Sequence, residues 1–131
     1  MITQFAVITL WAENVPAVAH FYRDALALPW LHHHADRVHF DVGGVYLAIL
    51  PGKPSAQEDP RSPRFPVVAF KVKDLDEALR RLQDQKVDTP WGVEENEEAR
   101  WVMFYDPAGN LLELVQFREP SINQTRSDHS V

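Results

Sequence analysis

Apolar and polar residues alternate along this chain with two periods, two over short runs and about 3.6 over two longer ones, and the order of these runs repeats. From Phe5 to Trp11 the residues alternate, which predicts a strand. Asn14 then stands as an N-cap, Pro16 suits the first turn, and an amphipathic helix is predicted to about Leu26. Trp30 to His34, Val38 to Val42 and Val45 to Leu50 read as strands, the last two joined by a hairpin turn at Gly43-Gly44. Then the plan restarts. Val67 to Val72 is a strand, and Asp74-Leu75-Asp76-Glu77, arranged as a capping box, opens a helix ending near Lys86. Trp91 to Glu94, Arg100 to Tyr105 and Leu111 to Phe117 are the closing strands.

A shift of 60 residues superposes the halves: Val7 on Val67, Asn14 on Asp74, Val15 on Leu75, Ala19 on Leu79 and Tyr22 on Leu82. Each half is one strand, one helix and three strands. The expected organisation is a single domain over residues 1–117, with module one at 1–50, a linker at 51–66 and module two at 67–117. The linker holds five of the ten prolines and should lack regular structure, and the polar tail at 118–131 should be mobile. An Asn123-Gln124-Thr125 sequon in that tail has no meaning in a cytoplasmic protein.

Length and composition narrow the function classes. A domain near 131 residues buries roughly two-thirds of the surface its unfolded chain exposes, so no covalent staple is required. Without cysteine there are no disulfides, thiolate metal sites or thiol chemistry, and with no long apolar span the expectation is a soluble cytoplasmic protein with no membrane partner. A net charge of -6 argues against nucleic acid as a partner and suits a cationic ligand. No Gly-x-Ser-x-Gly elbow, phosphate-binding Gly-rich loop or His-Glu-x-x-His helix occurs.

The most informative stretch is Asp106-Pro107-Ala108-Gly109-Asn110, a tight turn between two strands, of which the second carries Glu113 among apolar neighbours. Together with His20-Phe21-Tyr22-Arg23-Asp24 and the run Val72 to Ala78, it resembles the vicinal oxygen chelate superfamily, which includes glyoxalases, extradiol dioxygenases and bleomycin and fosfomycin resistance proteins. The resemblance spans about residues 4–117. It implies an α+β fold in which two βαβββ modules form a partly closed mixed sheet around a cleft, helices outside. It also implies a homodimer, in some members with modules exchanged between subunits.

Period two then assigns faces: Ile8, Leu10, Val68, Phe70 and Val72 toward the helices, and Val7, Thr9, Trp11, Tyr46, Ala48, Leu50, Val67, Ala69, Lys71, Leu111, Glu113 and Val115 toward the cleft. The metal ligands that the resemblance implies fall on Val7, Ala48, Val67 and Glu113. Three of these have no lone pair, and a divalent ion normally needs about three protein ligands, so no metal cofactor is expected. Leu31-His32-His33-His34 offers a different site, in which His32 and His34 would share a strand face about 7 Å apart. They lack a visible third ligand unless His39 or Glu113 joins them, and without one such a run gives only adventitious affinity for nickel or zinc.

Glu113 has two readings, a base or cation-binding carboxylate with a raised pKa, or a structural acid bonded to Tyr46, Thr9, Lys71 or water. Trp11 is the first candidate to stack on a ligand, and Trp101 the second, its strand register being open. Three functions follow. The first is a metal-independent binding protein that sequesters a planar or cationic organic ligand with Thr9, Trp11, Tyr46, Trp101 and Glu113. The second is an enzyme of the superfamily (isomerase, lyase or dioxygenase-like) using Glu113 as base or metal ligand, and the third an accessory module without ligand chemistry.

Overall fold

The computed structural model describes residues 1–34, 37–54 and 66–119, with backbone alone for residues 32–34. The expectations for most of the linker, for the tail beyond residue 119 with its sequon, and for the side chains of His32 and His34 lie outside the described residues. Within them the order is β1 (Val7–Ala12), α1 (Val15–Asp24), β2 (Trp30–His34), β3 (Arg37–Val42), β4 (Val45–Pro51), β5 (Val68–Lys71), α2 (Leu75–Asp84), β6 (Val93–Glu95), β7 (Ala99–Tyr105) and β8 (Leu111–Phe117). The α+β duplication is as the sequence predicts, with helices two residues shorter at their ends than the apolar periodicity suggests.

Both modules have one topology. Their four-stranded sheets are ordered β1-β4-β3-β2 and β5-β8-β7-β6, and in each the opening strand runs parallel to the closing one. A helix and two strands make up that connection in each module, and the start of the helix is set locally. Asn14 accepts from the Ala17 amide at 3.1 Å, and Asp74 accepts from the Glu77 amide at 3.1 Å, each satisfying an orphan N–H of the first turn. The faces toward the helices carry the apolar residues. Leu10, Leu47, Ile49, Val38 and Phe40 from the first sheet, and Val102, Phe104, Leu112 and Leu114 from the second, belong to one continuous core with Tyr22 and Leu82.

The modules are joined across that core. Phe21 packs on Phe104 with ring centroids 6.3 Å apart, and the Tyr22 hydroxyl donates to Asp106 at 2.6 Å. Asn110 donates through Nδ2 to the Trp11 carbonyl at 3.0 Å, tying the β7–β8 turn to the end of β1. Arg81 on α2 reaches the last carbonyls of α1, donating to Asp24 O at 2.9 Å and Ala25 O at 3.3 Å. Because the helix-side faces feed one core, the opposite faces of both sheets look outward, and the two sheets do not close on each other within the chain.

Candidate functional site

On each outward face the rows of side chains are set by strand register. On the first sheet, Thr9 stands level with Ala48, and Ala48 with His39; Val7 stands level with Tyr46, and Tyr46 with Asp41. Directly opposed residues share a face, so these side chains lie together. Large groups here are left to solvent: Val7 is 50%, Trp11 46% and Tyr46 51% exposed, whereas Ala48 is buried beneath its neighbours. His39 lies beside Tyr46, ring centroids 6.3 Å apart. The indole of Trp11 lies over Gly52, so closely that a Cβ at Gly52 would stand 2.8 Å from Cε3.

On the second sheet Ala69 stands level with Glu113 and Glu113 with Met103, while Lys71, Val115, Trp101 and Glu94 form the adjacent row. This resolves the register that the sequence leaves open before Asp106: Trp101 shares the face of Glu113. The Glu113 carboxyl is half-buried, and its pKa is raised, first by burial and second by the charge of Glu94. The sequence predicts a strand from Trp91 to Glu94, and the structure has Glu94 within β6, Val93–Glu95. Its position one row from Glu113 follows from the pairing of β6 with β7 and of β7 with β8, which has no short-range sequence signal.

Among the described residues no group donates a hydrogen bond to Glu113. Two of its expected partners, Thr9 and Tyr46, are on the other sheet, and the third, Lys71, holds its ammonium 6.0 Å from the Phe117 ring centroid. The four positions expected to converge are likewise divided: Val7 and Ala48 belong to β1 and β4, Glu113 to β8, and Val67 stands just before β5. Where the two sheets come nearest, Ile8 of β1 and Tyr46 of β4 line a recess together with Val68 and Ala69 of β5. Period two assigns faces but not the side of the molecule on which a face ends up, so the sequence alone does not place these four positions relative to one another.

The family model for the glyoxalase/bleomycin resistance protein/dioxygenase superfamily matches residues 4–114, which span both modules. The chain belongs to that superfamily. Solved members share its fold at low identity. FosX, the fosfomycin resistance protein of Listeria monocytogenes, superposes with a TM-score of 0.74 at 21% identity, over 95% of this chain and 98% of that one. Lactoylglutathione lyase of Agrobacterium tumefaciens gives a TM-score of 0.68 at 21% identity, over 88% of this chain and 94% of that one. A variant of the Listeria FosX complexed with Mn(II) and 1S,2S-dihydroxypropylphosphonic acid gives 0.72 at 19% identity, over 98% and 99%. No curated protein sequence matches significantly.

Among the described residues, the donor set does not fit a metal such as the Mn(II) of that FosX variant. Of the four positions to which the resemblance assigns metal ligands, Val7, Ala48 and Val67 have no side-chain lone pair, and among the described residues no three His, Asp or Glu side chains are grouped to hold an ion.

Proposed function

We propose that this superfamily member is a metal-independent binding protein that sequesters a planar or cationic organic molecule between two copies of the chain. One copy would supply Thr9, Trp11 and Tyr46, and the other Trp101 and Glu113. The observation that carries this reading is the pair of outward half-sites, one aromatic and the other acidic and aromatic, with Trp11 and Tyr46 about half exposed. Exposed large apolar groups clustered on a sheet face mark a surface that another body covers. A half-buried carboxylate without a donor, beside indole faces, suits a cation through charge and ring quadrupole together. Resistance proteins and a lyase among the structural neighbours support a small-molecule ligand.

The test uses acriflavine, a flat aromatic cation, in titration calorimetry with the dimer measured by light scattering. Saturable binding is expected, weakened about tenfold or more by Glu113→Gln and by Trp11→Ala, since loss of a charge-assisted contact is worth on the order of 1.4 kcal/mol or more. Because the half-sites come from different chains, mixing the two variants should restore one intact site per mixed dimer. A strictly monomeric protein, or a Glu113→Gln variant that binds as tightly as the parent, sinks the proposal.

A second reading keeps the same site for catalysis. The raised pKa of Glu113 favours a general base or acid in an isomerase or lyase. Exchange of a substrate carbon-bound proton with solvent deuterium, lost in Glu113→Gln, would distinguish that reading from sequestration.

A further inference from the structure

Away from both outward faces, an apolar recess lies on the seam between the modules. It is walled by the exit of α1 from Ala25 to Leu28, by Phe70 of β5, and by Ala78 and Arg81 of α2, with Leu114 behind. It spans about 640 Å³ counting its open mouth. Although the chain carries a net charge of -6, the charged residues on this wall are both cations, Lys71 and Arg81. The Lys71 ammonium sits over Phe117 on the outward face, so the cation belonging to the recess is Arg81.

Arg81 is held in place and only partly used. Its Nε and Nη2 donate to Ala25 O and Asp24 O, which fixes the plane of the guanidinium at the end of α1. A guanidinium has five N–H donors, and among the described residues no carboxylate pairs with this one. The remaining edge is a planar fork of the kind that fits a carboxylate. Around it the wall is aliphatic, with Leu26, Leu28 and Leu114 set off by the small side chains of Ala25, Ala27 and Ala78. We propose that this recess is a second ligand site, which takes an amphipathic carboxylate with its head on Arg81 and its aliphatic chain against the seam.

Decanoate is the probe, followed by calorimetry on the full chain below its micellar concentration. One saturable site per chain is expected, and decylamine of the same chain length should bind about tenfold more weakly or not at all. Arg81→Met, which removes the charge and keeps the length, should weaken decanoate about tenfold, and Arg81→Lys by less. Ala78→Phe, which fills the recess from the α2 wall, should abolish binding while leaving the far-UV circular dichroism unchanged. Absence of saturation, equal affinity for decanoate and decylamine, or an unaltered affinity in folded Arg81→Met overturns the proposal. The wild-type comparison of the two probes decides the matter even if a variant fails to fold.

Discussion

The hydroxyl of Tyr22 on α1 donates to Oδ2 of Asp106 at 2.6 Å, a buried bond between residues 84 positions apart that joins the two modules. Asp106 is 4% exposed and Tyr22 wholly buried. The acid is satisfied from its own turn as well, since Oδ1 accepts from the amides of Ala108 and Asn110 at 2.9 Å each, and Oδ2 from Asn110 Nδ2 at 2.8 Å. One carboxylate thus shapes the β7–β8 turn that leads to Glu113 and fastens it to the first module. Asn110 extends the link to Trp11, so the turn that aims the acid also anchors the strand that carries the leading aromatic candidate.

Tyr22→Phe should cost about 1–2 kcal/mol in urea unfolding, because it removes one bond while Asp106 keeps three other donors. Asp106→Ala should cost more, since it strips four donors at once and leaves the Tyr22 hydroxyl buried without an acceptor. The tyrosine also predicts a pH dependence. Burial, and then the charge of Asp106, raises its pKa well above the usual 10.0. A phenol held protonated in the fold and not in the unfolded chain contributes stability that is full below pH 10 and declines as pH rises beyond it. The parent should therefore lose stability more steeply than Tyr22→Phe above pH 10.

The halves of this picture were unequally legible in the sequence. The duplication could be read because period-two strands and capped helices leave local marks: Asn14 and Asp74 cap where the sequence places them, and Ile8 and Leu10 face α1. Glu113 could be read for the same reason, as an acid standing in a run of apolar alternation. Where the chain packs module against module, no local mark exists. The Tyr22–Asp106 bond, the guanidinium of Arg81 on the end of α1 and the outward turn of both candidate faces are consequences of long-range packing, which periodicity does not encode. The helix ends were overrun because each exit bends without glycine, with Ala27 at φ 58° and Lys86 at φ 57°.

Glu113→Gln should raise stability above the acid range and leave it unchanged below. The carboxyl has its pKa raised in the fold by burial and by Glu94, so the native state holds the proton more tightly than the unfolded chain. Stability then falls as pH rises from the ordinary value of 4.5 through the raised one, and the deficit persists at neutral pH. Solvent reaches this side chain, so the gain at pH 7 should stay under about 1 kcal/mol. Thermal melts of both proteins at pH 4 and pH 7 check it: a variant equally or less stable at pH 7 contradicts the assignment.

Gly52→Ala should act on Trp11 and hardly on the fold. The added Cβ would meet the indole at 2.8 Å and its Cβ at 3.4 Å, so the ring must swing off its present position. Trp11 is 46% exposed and has room to move into solvent. A stability change within about 1 kcal/mol is expected, together with an altered indole fluorescence and weaker acriflavine binding. Unchanged affinity would remove Trp11 from the ligand surface.

Lys86→Gly should stabilise the protein. The end of α2 is closed by Val87 N–H to Leu82 O at 2.9 Å and Lys86 N–H to Gln83 O at 3.0 Å, the paired bonds of a Schellman exit, which place Lys86 in the left-handed region at φ 57°. A side chain there costs roughly 1–2 kcal/mol that glycine avoids, part of which is returned as greater freedom of the unfolded chain. A net gain of about 0.5–1 kcal/mol is expected in denaturant unfolding with an unchanged slope. Lys86→Val should lose stability at the same position, because a β-branched side chain is still less tolerant of positive φ. If glycine instead destabilised the protein, the closing bonds of α2 would have to be held by the Lys86 side chain and not by its backbone.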